Sequence, residues 1–347
     1  MFIFLLFHVA FASVQGPLTD DFRSWLDVNG YKGYDFARDD YGSQGSFGGK
    51  TENAPEAVNT PIIFIHGNSD AALHKSSSAT GWTKSINYFL TQGYTVAELY
   101  ATSWQDTNVM KAGTRTHNCH DLERLRKYVE AVLSYTNKTK VSLVTHSMGV
   151  TMGRKIVKGG AVKGNDGSCD LGAAINHRIE VFIGISGGNY GLCNCEGSGA
   201  LLEATCNKDN GLWPGDSCGM NYLTCGLSPL TWPCSSHKYS EFLMQLNEDT
   251  TKEADYVFSS WSHADNVILY NDIVWGKPTS FIPTSDGKLV YSSLTHVETK
   301  DLTAKDQYIM INKHIDWMSK NSVEKRSRTV VQHQMVRVRR RRIEPSK

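Results

Sequence analysis

Short apolar runs alternate with amphipathic stretches over most of this chain. Predominantly apolar segments lie at residues 61–65, 94–99, 141–144, 179–185 and 256–261, and each is typical of a buried strand. The stretches between several of them carry apolar residues at helical spacing. This alternation predicts an α/β fold, with a mostly parallel sheet covered by helices on both faces.

The same pattern places several helices. One is predicted around residues 83–90, and a second starts at Asn118, a favourable N-cap residue. The second helix would bury Leu122, Leu125, Val129, Val132 and Leu133. The last helix opens with Thr303-x-x-Asp306, which resembles a capping box, and should end near Ser322. Its predicted buried residues are Tyr308, Ile311, Ile315 and Met318.

Residues 145–149 read T-H-S-M-G and stand between a predicted strand and a predicted helix. A serine at such a sharp turn has a strained backbone that pushes its hydroxyl clear of the main chain, as a nucleophile requires. Thr145 replaces the first glycine of the usual G-x-S-x-G, but Gly149 leaves room for the chain to double back. Gly149 and Gly153 would let the helix pack closely on the sheet. We therefore interpret Ser147 as the nucleophile of a hydrolase.

A catalytic carboxylate should follow Ser147 along the chain, because α/β-hydrolases carry their triad in the order serine, acid, histidine. Asp265 comes directly after the apolar run at residues 256–261 and is the candidate. Asp272 is the rival, seven residues further on and less tied to a strand end. Asp286 precedes a glycine and is typical of a hairpin turn.

A catalytic histidine should lie between the last strand and the last helix. His296 meets this condition, because it follows the apolar residues 289–291 and precedes Thr303. His296 would take the hydroxyl proton of Ser147, and Asp265 would fix the imidazole tautomer. The expected reaction is attack on an ester carbonyl, followed by hydrolysis of the acyl-enzyme.

Two main-chain amides are candidates for the oxyanion hole. One belongs to Met148, directly after the nucleophile, and the other to Asn68, after His66-Gly67 at the end of a predicted strand. An ordinary strand exit is the alternative interpretation of His66-Gly67.

The amino terminus and the cysteines indicate secretion. Residues 1–12 are apolar and residues 13–16 are small or polar, which predicts a signal peptide over residues 1–16 that is too short to span a bilayer. Eight cysteines follow, and an oxidising compartment predicts four disulfides whose pairing the spacing leaves open. They are Cys119, Cys169, Cys193, Cys195, Cys206, Cys218, Cys225 and Cys234. Asn137 begins an N-x-T glycosylation acceptor between a predicted helix and a predicted strand.

Charge is concentrated at the carboxyl terminus. From Ser322 onward nine lysines and arginines face two glutamates, so this part carries +7 and leaves −6 for the rest of a chain whose total is +1. A disordered tail over residues 323–347 is the expectation, with proteolytic processing or contact with anionic surfaces as alternatives. Nucleic-acid binding is not expected, because the tail lacks base-stacking residues and a folded basic face.

Taken together, these motifs resemble the class 2 secreted lipases, a family that joins small bacterial lipases to a branch of secreted animal lipases. The motifs are at residues 45–49 (G-S-F-G-G), 63–70 (I-F-I-H-G-N-S-D), 145–149, 262–265 and His296. Small lipases of this family also lack a glycine at the first elbow position. The resemblance, over residues 25–318, implies a minimal α/β-hydrolase fold and cleavage of carboxylic esters, usually triacylglycerol.

The 347 residues accommodate one large domain with an insertion. We expect the catalytic domain over residues 17–322, with a short sheet because residues 17–60 show no clear strands. Residues 186–255 would form a cysteine-rich insertion, either a disulfide-bonded cap over the acyl pocket or a scaffold loop. Its apolar residues include Leu212, Trp213, Tyr222, Leu223, Leu227, Leu230 and Trp232.

The expected partners are a lipid or ester substrate and, transiently, a lipid surface. No metal, cofactor or transmembrane segment is expected, since a disulfide cysteine explains His117-x-Cys119-His120 better than zinc does. A thioesterase, an acyltransferase or a short-chain esterase would share the same triad. A non-catalytic lipid-binding protein is a further alternative, but it would not need three reactive residues.

Overall fold

A seven-stranded sheet forms the centre of the chain in the computed structural model, which describes residues 14–52, 57–196, 202–215, 225 and 239–312. The strands in chain order are β1 (Ser46–Phe47), β2 (Ile62–Ile65), β3 (Leu99–Thr102), β4 (Val141–His146), β5 (Ala161–Gly164), β6 (Gly167–Asp170), β7 (Ile179–Ile185), β8 (Tyr256–Ser262), β9 (Ile273–Val274), β10 (Lys277–Pro278) and β11 (Gly287–Tyr291). The sheet has the spatial order β1-β3-β2-β4-β7-β8-β11, and β5-β6 and β9-β10 form two-stranded antiparallel pairs. All neighbours in the large sheet are parallel except β1 and β3. The predicted α/β class is therefore confirmed.

Helices cover both faces of this sheet, as predicted. They are α1 (Asp20–Val28), α2 (Thr83–Thr91), α3 (Cys119–Thr136), α4 (Met148–Lys158), α5 (Glu241–Glu248), α6 (His296–Asp301) and α7 (Ala304–Ile311). Buried side chains of α1, α3, α4 and α5 share one apolar cluster with the sheet, and those of α2 and α7 share another.

The two clusters explain why the strands read as apolar runs. Along β2, Ile63 and Ile65 belong to the first cluster, whereas Ile62 and Phe64 belong to the second. All four are at most 1% exposed. Because both faces of a parallel sheet are covered, successive side chains on opposite faces must all be apolar.

The strand predicted at residues 94–99 begins later, which corrects that prediction. Thr95 and Glu98 form a capping box, in which the Thr95 amide donates to Glu98 Oε2 at 2.8 Å. This box closes a short helical turn, so the strand occupies Leu99–Thr102 instead. Strand β1 was not predicted, because two residues are too few to produce a periodic pattern.

Two helix starts differ in detail from the sequence prediction. Asn118 is the N-cap residue of α3, but its side chain does not cap the helix. The carboxylate of Asp166 does so instead, since it accepts from the amides of Cys119 and His120 at 2.9 Å. The capping group therefore comes from the turn between β5 and β6, which no local sequence pattern could reveal.

The capping box predicted at Thr303 and Asp306 is also wrong. The Asp306 carboxylate accepts from the Tyr291 hydroxyl at 2.8 Å, and the box lies earlier, between Thr295 and Glu298 at the start of α6. The final helical region is thus α6 followed by α7, which ends at Ile311. The predicted positions Ile315, Met318 and Ser322 lie outside the described residues.

Three disulfides join six of the eight cysteines. They are Cys119–Cys169, Cys193–Cys225 and Cys195–Cys206, whereas Cys218 and Cys234 lie outside the described residues. Most of the predicted signal peptide and the whole basic tail lie outside them as well. In the part of the chain that the structure describes, no helix is both long and apolar enough to cross a membrane.

Candidate active site

Ser147 stands at the turn between β4 and α4, where the strand-turn-helix pattern was predicted. Its backbone has φ 56° and ψ −131°, a conformation that a residue with a side chain rarely adopts. The Ser147 amide donates to the carbonyl of Ile185 at 2.8 Å, so the turn is fixed to β7. Ser147 is half-buried, although the neighbours on both sides, His146 and Met148, are buried. The strained turn thus keeps the serine accessible at the carboxyl end of the sheet.

Glycines permit the close contacts around this turn. A Cβ on Gly149 would lie 2.4 Å from the carbonyl oxygen of His66, and one on Gly153 would lie 2.9 Å from Thr145 Cγ2. A Cβ on Gly67 would lie 2.6 Å from the Cβ of Ser147. The predicted roles of Gly149 and Gly153 are confirmed, and the loop after β2 packs directly against the serine.

Asp265 and His296 form a buried hydrogen-bonded pair. His296 Nδ1 lies 2.7 Å from Asp265 Oδ2, while Asp265 Oδ1 accepts from the amides of Val267 and Ile268 at 2.9 and 2.8 Å. Burial alone would raise the pKa of Asp265, but the hydrogen bond from His296 and these amides hold it below its usual value. The carboxylate is therefore ionised and fixes the imidazole with Nδ1 as the donor.

The sequence predicted His296 in a loop, but His296 is the first residue of α6. Its amide donates to the side-chain oxygen of Asn266 at 3.0 Å, so the residue after Asp265 also positions it. The capping box of Thr295 and Glu298 begins the helix at this point. The main chain and the side chain of His296 are thus both tied to the loop that follows β8.

The rival acid Asp272 is hydrogen-bonded to Ser280 rather than to His296. Ser280 Oγ lies 2.5 Å from Asp272 Oδ1, and the Ser280 amide donates to Oδ2 at 3.1 Å. Burial raises the pKa of Asp272 well above its usual value, although these hydrogen bonds oppose the shift. Asp286 accepts from the amide of Val257 at 2.7 Å, in the turn before β11. Within the part of the chain that the structure describes, neither carboxylate is hydrogen-bonded to His296.

His146 connects the serine turn to His296, a contact that the sequence analysis missed. His146 Nε2 donates to the main-chain carbonyl of His296 at 3.1 Å, and the two ring centroids are 4.6 Å apart. Burial drives the pKa of His146 well below its usual value. Among the described contacts, Ser147 Oγ makes no hydrogen bond to the His296 ring, and such bonds are often long in unliganded enzymes.

The two candidate oxyanion residues flank this turn. Met148 is the first residue of α4, where helix geometry leaves the main-chain N–H without an intrahelical partner. Asn68 follows Gly67, and its side chain is held at both ends, since Nδ2 donates to the carbonyl of Ala112 at 2.9 Å and Oδ1 accepts from Arg115 at 2.8 Å. Arg115 carried no recognisable signal in the sequence.

His66 fixes the strand end before Asn68. Its Nδ1 donates to the Gly67 carbonyl at 2.7 Å, its Nε2 accepts from the Trp104 amide at 2.9 Å, and the two rings stack. Burial lowers the pKa of His66 to about 4, so the ring is neutral and can accept this bond. His66 is therefore a structural residue that orders the strand exit.

The described part of the cysteine-rich insertion is packed against the domain. Leu212 and Trp213 are both 5% exposed, and Cys195–Cys206 closes a short loop. The other apolar residues predicted for a cap lie outside the described residues: Tyr222, Leu223, Leu227, Leu230 and Trp232.

Metal-ligating residues do not cluster within the described ranges, where no group of three or more histidine, cysteine, aspartate or glutamate side chains could hold an ion. Cys119 is bonded to Cys169. His117 lies between the Asn210 carbonyl and the Thr151 hydroxyl, at 2.8 and 2.7 Å.

Several solved structures are similar to this chain at low sequence identity. Among solved structures, Bacillus licheniformis lipase BlEst2 in its mature form is similar, with a TM-score of 0.46, 13% identity, and coverage of 76% of this chain and 96% of that one. Mouse alpha/beta hydrolase domain-containing protein 10 has a TM-score of 0.41, 14% identity and coverage of 78% and 97%. Paleococcus ferrophilus monoacylglycerol lipase has a TM-score of 0.40, 15% identity and coverage of 79% and 97%.

A family model provides the stronger finding. The model described as Lipase (class 2) matches residues 59–309, which include the loop after β2, the turn at Ser147 and the Asp265–His296 pair. The match spans most of the chain, in agreement with the resemblance carried by the sequence motifs. The chain therefore belongs to the class 2 lipase family, whose members are hydrolases of ester bonds with an α/β-hydrolase fold.

Proposed function

We propose that this chain is a secreted serine hydrolase that cleaves carboxylic esters, with acylglycerols as its substrates. The observation that carries the proposal is the 2.7 Å hydrogen bond between His296 and Asp265, at the sheet edge where Ser147 occupies its strained turn. An imidazole oriented by a carboxylate is what general-base activation of a serine requires.

In the proposed reaction, Ser147 Oγ attacks the carbonyl carbon of the ester while His296 takes the hydroxyl proton. The tetrahedral oxyanion accepts hydrogen bonds from the amides of Met148 and Asn68. The bond to the alcohol then breaks, and His296 gives its proton to the departing oxygen. Water, activated by the same imidazole, releases the carboxylic acid from the acyl-enzyme and restores the Ser147 hydroxyl. Asp265 keeps the imidazole in its tautomer and stabilises its charged form.

Secretion is supported by the cysteines and by the amino-terminal sequence. Three disulfides are typical of an oxidising compartment. Asn137 is exposed in a left-handed turn between α3 and β4, as an attachment site for a glycan must be. Expression of the full chain in eukaryotic cells, followed by amino-terminal sequencing of protein from the medium, tests cleavage near residue 12 or 16. Retention in the cytosol would contradict secretion.

Transient contact with a lipid surface is supported by exposed apolar side chains. Val109 and Met110 follow β3, Leu202 follows β7, and Val267 and Leu269 follow β8. The segments after β3 and β8 leave the carboxyl ends of parallel strands, the edge at which Ser147 lies. Met110 is 88% exposed and Leu202 is 80% exposed. Large apolar side chains that remain exposed around a catalytic edge favour a lipid substrate.

Covalent labelling with a fluorophosphonate tests the enzymatic proposal. We expect an adduct on Ser147, no adduct in Ser147→Ala, and normal labelling in the matched control Ser78→Ala, since Ser78 is an exposed residue outside the site. Absence of an adduct in the folded wild-type protein would favour a non-catalytic lipid-binding protein.

Turnover of a series of p-nitrophenyl esters, from short to long acyl chains, tests the substrate. A preference for long chains and for emulsified acylglycerol is expected. A preference for short, water-soluble esters would identify an esterase instead, and faster turnover of thioesters or acyl transfer to an added alcohol would favour the thioesterase or acyltransferase alternative.

A further inference from the structure

The cysteine-rich insertion is hydrogen-bonded to a segment near the candidate oxyanion residue Asn68. Thr205 Oγ1 lies 2.7 Å from the main-chain carbonyl oxygen of Ala112 and 2.6 Å from that of Arg115. Thr205 is 8% exposed and precedes Cys206, which is bonded to Cys195. The hydroxyl that makes this contact is therefore buried and belongs to a loop closed by a disulfide.

The same two residues hold the side chain of Asn68. The Thr205 hydroxyl has one proton, which the Ala112 and Arg115 carbonyls share, and the Ala112 carbonyl also accepts from Asn68 Nδ2 at 2.9 Å. The guanidinium of Arg115 donates to Asn68 Oδ1 at 2.8 Å. Thr205 thus contacts the main-chain carbonyls of Ala112 and Arg115, the two residues that bind the side-chain carboxamide of Asn68. A shift of this threonine would therefore move the residues that hold Asn68.

Arg115 has little freedom of its own. It is 3% exposed, and it forms an ion pair with Asp106 and donates to the carbonyl of Asn108 at 3.0 Å and to the hydroxyl of Ser69. A buried guanidinium with several partners is expensive to displace, because any lost partner leaves a charge unsatisfied. The network is therefore a rigid connection between the insertion and the loop after β2.

We propose that Thr205 and Arg115 are positioning residues, through which the disulfide-bonded insertion sets the place of the Asn68 main-chain amide in the oxyanion hole. The inference rests on the proposed function. It assigns to residues 202–215 the role of holding the loop after β2 in its catalytic position. Oxyanion stabilisation depends steeply on the distance and angle of the donor, so a displaced amide lowers the rate of acylation rather than substrate binding.

The first test compares Thr205→Val, which keeps the shape but loses the hydroxyl, with Thr205→Ser, which keeps the hydroxyl. Complete loss of one oxyanion donor costs about 10²- to 10³-fold in kcat. For a displaced donor in Thr205→Val we expect a loss of roughly tenfold in kcat, with KM within a factor of about two. Thr205→Ser should recover most of this loss.

Thr136→Val is the matched control. Thr136 is also 8% exposed, and its Oγ1 donates to a main-chain carbonyl, that of Val132, at the far end of α3. Any loss of stability from removing a buried threonine hydroxyl should be similar in both valine variants, as measured by urea unfolding. Only Thr205→Val should show a decrease in kcat.

A double-mutant cycle with Asn68→Ala tests the route of the effect. Removing the Asn68 side chain breaks its contacts with Ala112 and Arg115, so adding Thr205→Val should cost little more in kcat. If Thr205→Val does not fold, Arg115→Lys replaces it in the cycle, because lysine cannot bridge Asn68 and Asp106 as the guanidinium does.

Several outcomes would overturn the inference. They are wild-type kcat in Thr205→Val and Arg115→Lys, failure of Thr205→Ser to recover activity, or losses that multiply in the double mutant. None of these outcomes affects the fluorophosphonate adduct on wild-type Ser147, whose absence would instead refute the proposed function. The two failures are thus distinguishable.

Discussion

Lys300 donates a hydrogen bond to the carboxylate of Asp70, although the two residues are separated by 230 positions in the sequence. Lys300 is 1% exposed and Asp70 is 7% exposed, so the ion pair is buried. Burial opposes ionisation of Asp70, but Lys300 holds its pKa below the usual value. Because Asp70 follows β2 and Lys300 lies in α6, the ion pair connects the loop after β2, which contains Asn68, to the helix that begins at His296.

Breaking this pair should destabilise the fold. In Asp70→Asn the Lys300 ammonium loses its nearest carboxylate and keeps Asp301 at 3.7 Å, and loss of a buried charged partner costs about 3–5 kcal/mol. We expect a decrease near the lower end of this range in the free energy of unfolding in urea. Asp39→Asn is the matched control, because its ion pair with Arg23 is solvent-exposed and worth about 1 kcal/mol or less.

The double variant Asp70→Asn with Lys300→Met should recover part of the lost stability, because it leaves no unpaired charge in the interior. Equal stabilities of Asp70→Asn and Asp39→Asn would refute a stabilising role for the pair.

The choice between the two candidate acids can be tested by matched substitutions. Asp265→Asn should lower kcat by roughly 10³- to 10⁴-fold, since an amide cannot fix and stabilise the imidazole as the carboxylate does. Asp272→Asn should change kcat by less than about threefold, because Asp272 binds Ser280 rather than His296. A steady-state comparison with one ester substrate decides between them, and the reverse order of effects would assign the acid to Asp272.

The close approach of the glycine in the serine turn predicts a steric effect. In Gly149→Ala the new methyl group would meet the His66 carbonyl oxygen at 2.4 Å, a main-chain atom that cannot move without disturbing β2. We expect a loss of about 1–3 kcal/mol in stability, together with a large loss of activity. Gly33→Ala is the control, since nothing lies within 4 Å of its Cβ position. Wild-type thermal stability in Gly149→Ala would contradict this close contact.

Local patterns in the sequence predicted the sheet, the serine turn and the residues at strand ends. Ser147, Asp265 and His296 could be found because each follows a recognisable strand, and the order of such residues is restricted in this fold class. The pair of Asp265 and His296 is brought together as expected, whereas the role of Ser147 stays a prediction that labelling must test.

Contacts between distant segments could not be predicted in this way. Lys300 and Arg115 carry the ionic contacts around the site, but a single charged residue on a helix or loop is usually solvated and gives no signal. Asp166 and Thr205 act through main-chain groups that are far away in the sequence. Their roles depend on tertiary packing, which single-sequence periodicity does not contain.

Buried neutral histidines predict a dependence of stability on pH. Burial lowers the pKa of both His66 and His117 to about 4, below the ordinary value of 6.5 that applies in the unfolded chain. Between pH 6.5 and 4 the unfolded state therefore binds more protons than the folded state does. Stability should fall as the pH decreases through this window, by up to about 1.4 kcal/mol per pH unit for each such histidine.

The contribution of one histidine can be isolated by substitution. His117→Gln removes one buried imidazole, so unfolding between pH 6.5 and 5 should take up about one proton fewer. The slope of the unfolding free energy against pH should decrease accordingly, by up to about 1.4 kcal/mol per pH unit. His74→Gln replaces an exposed histidine and should leave the slope unchanged. Urea unfolding at several pH values measures both slopes. Identical slopes in wild type and His117→Gln would mean that the pKa of His117 is the same in the folded and unfolded protein, which would contradict the effect of its burial between Asn210 and Thr151.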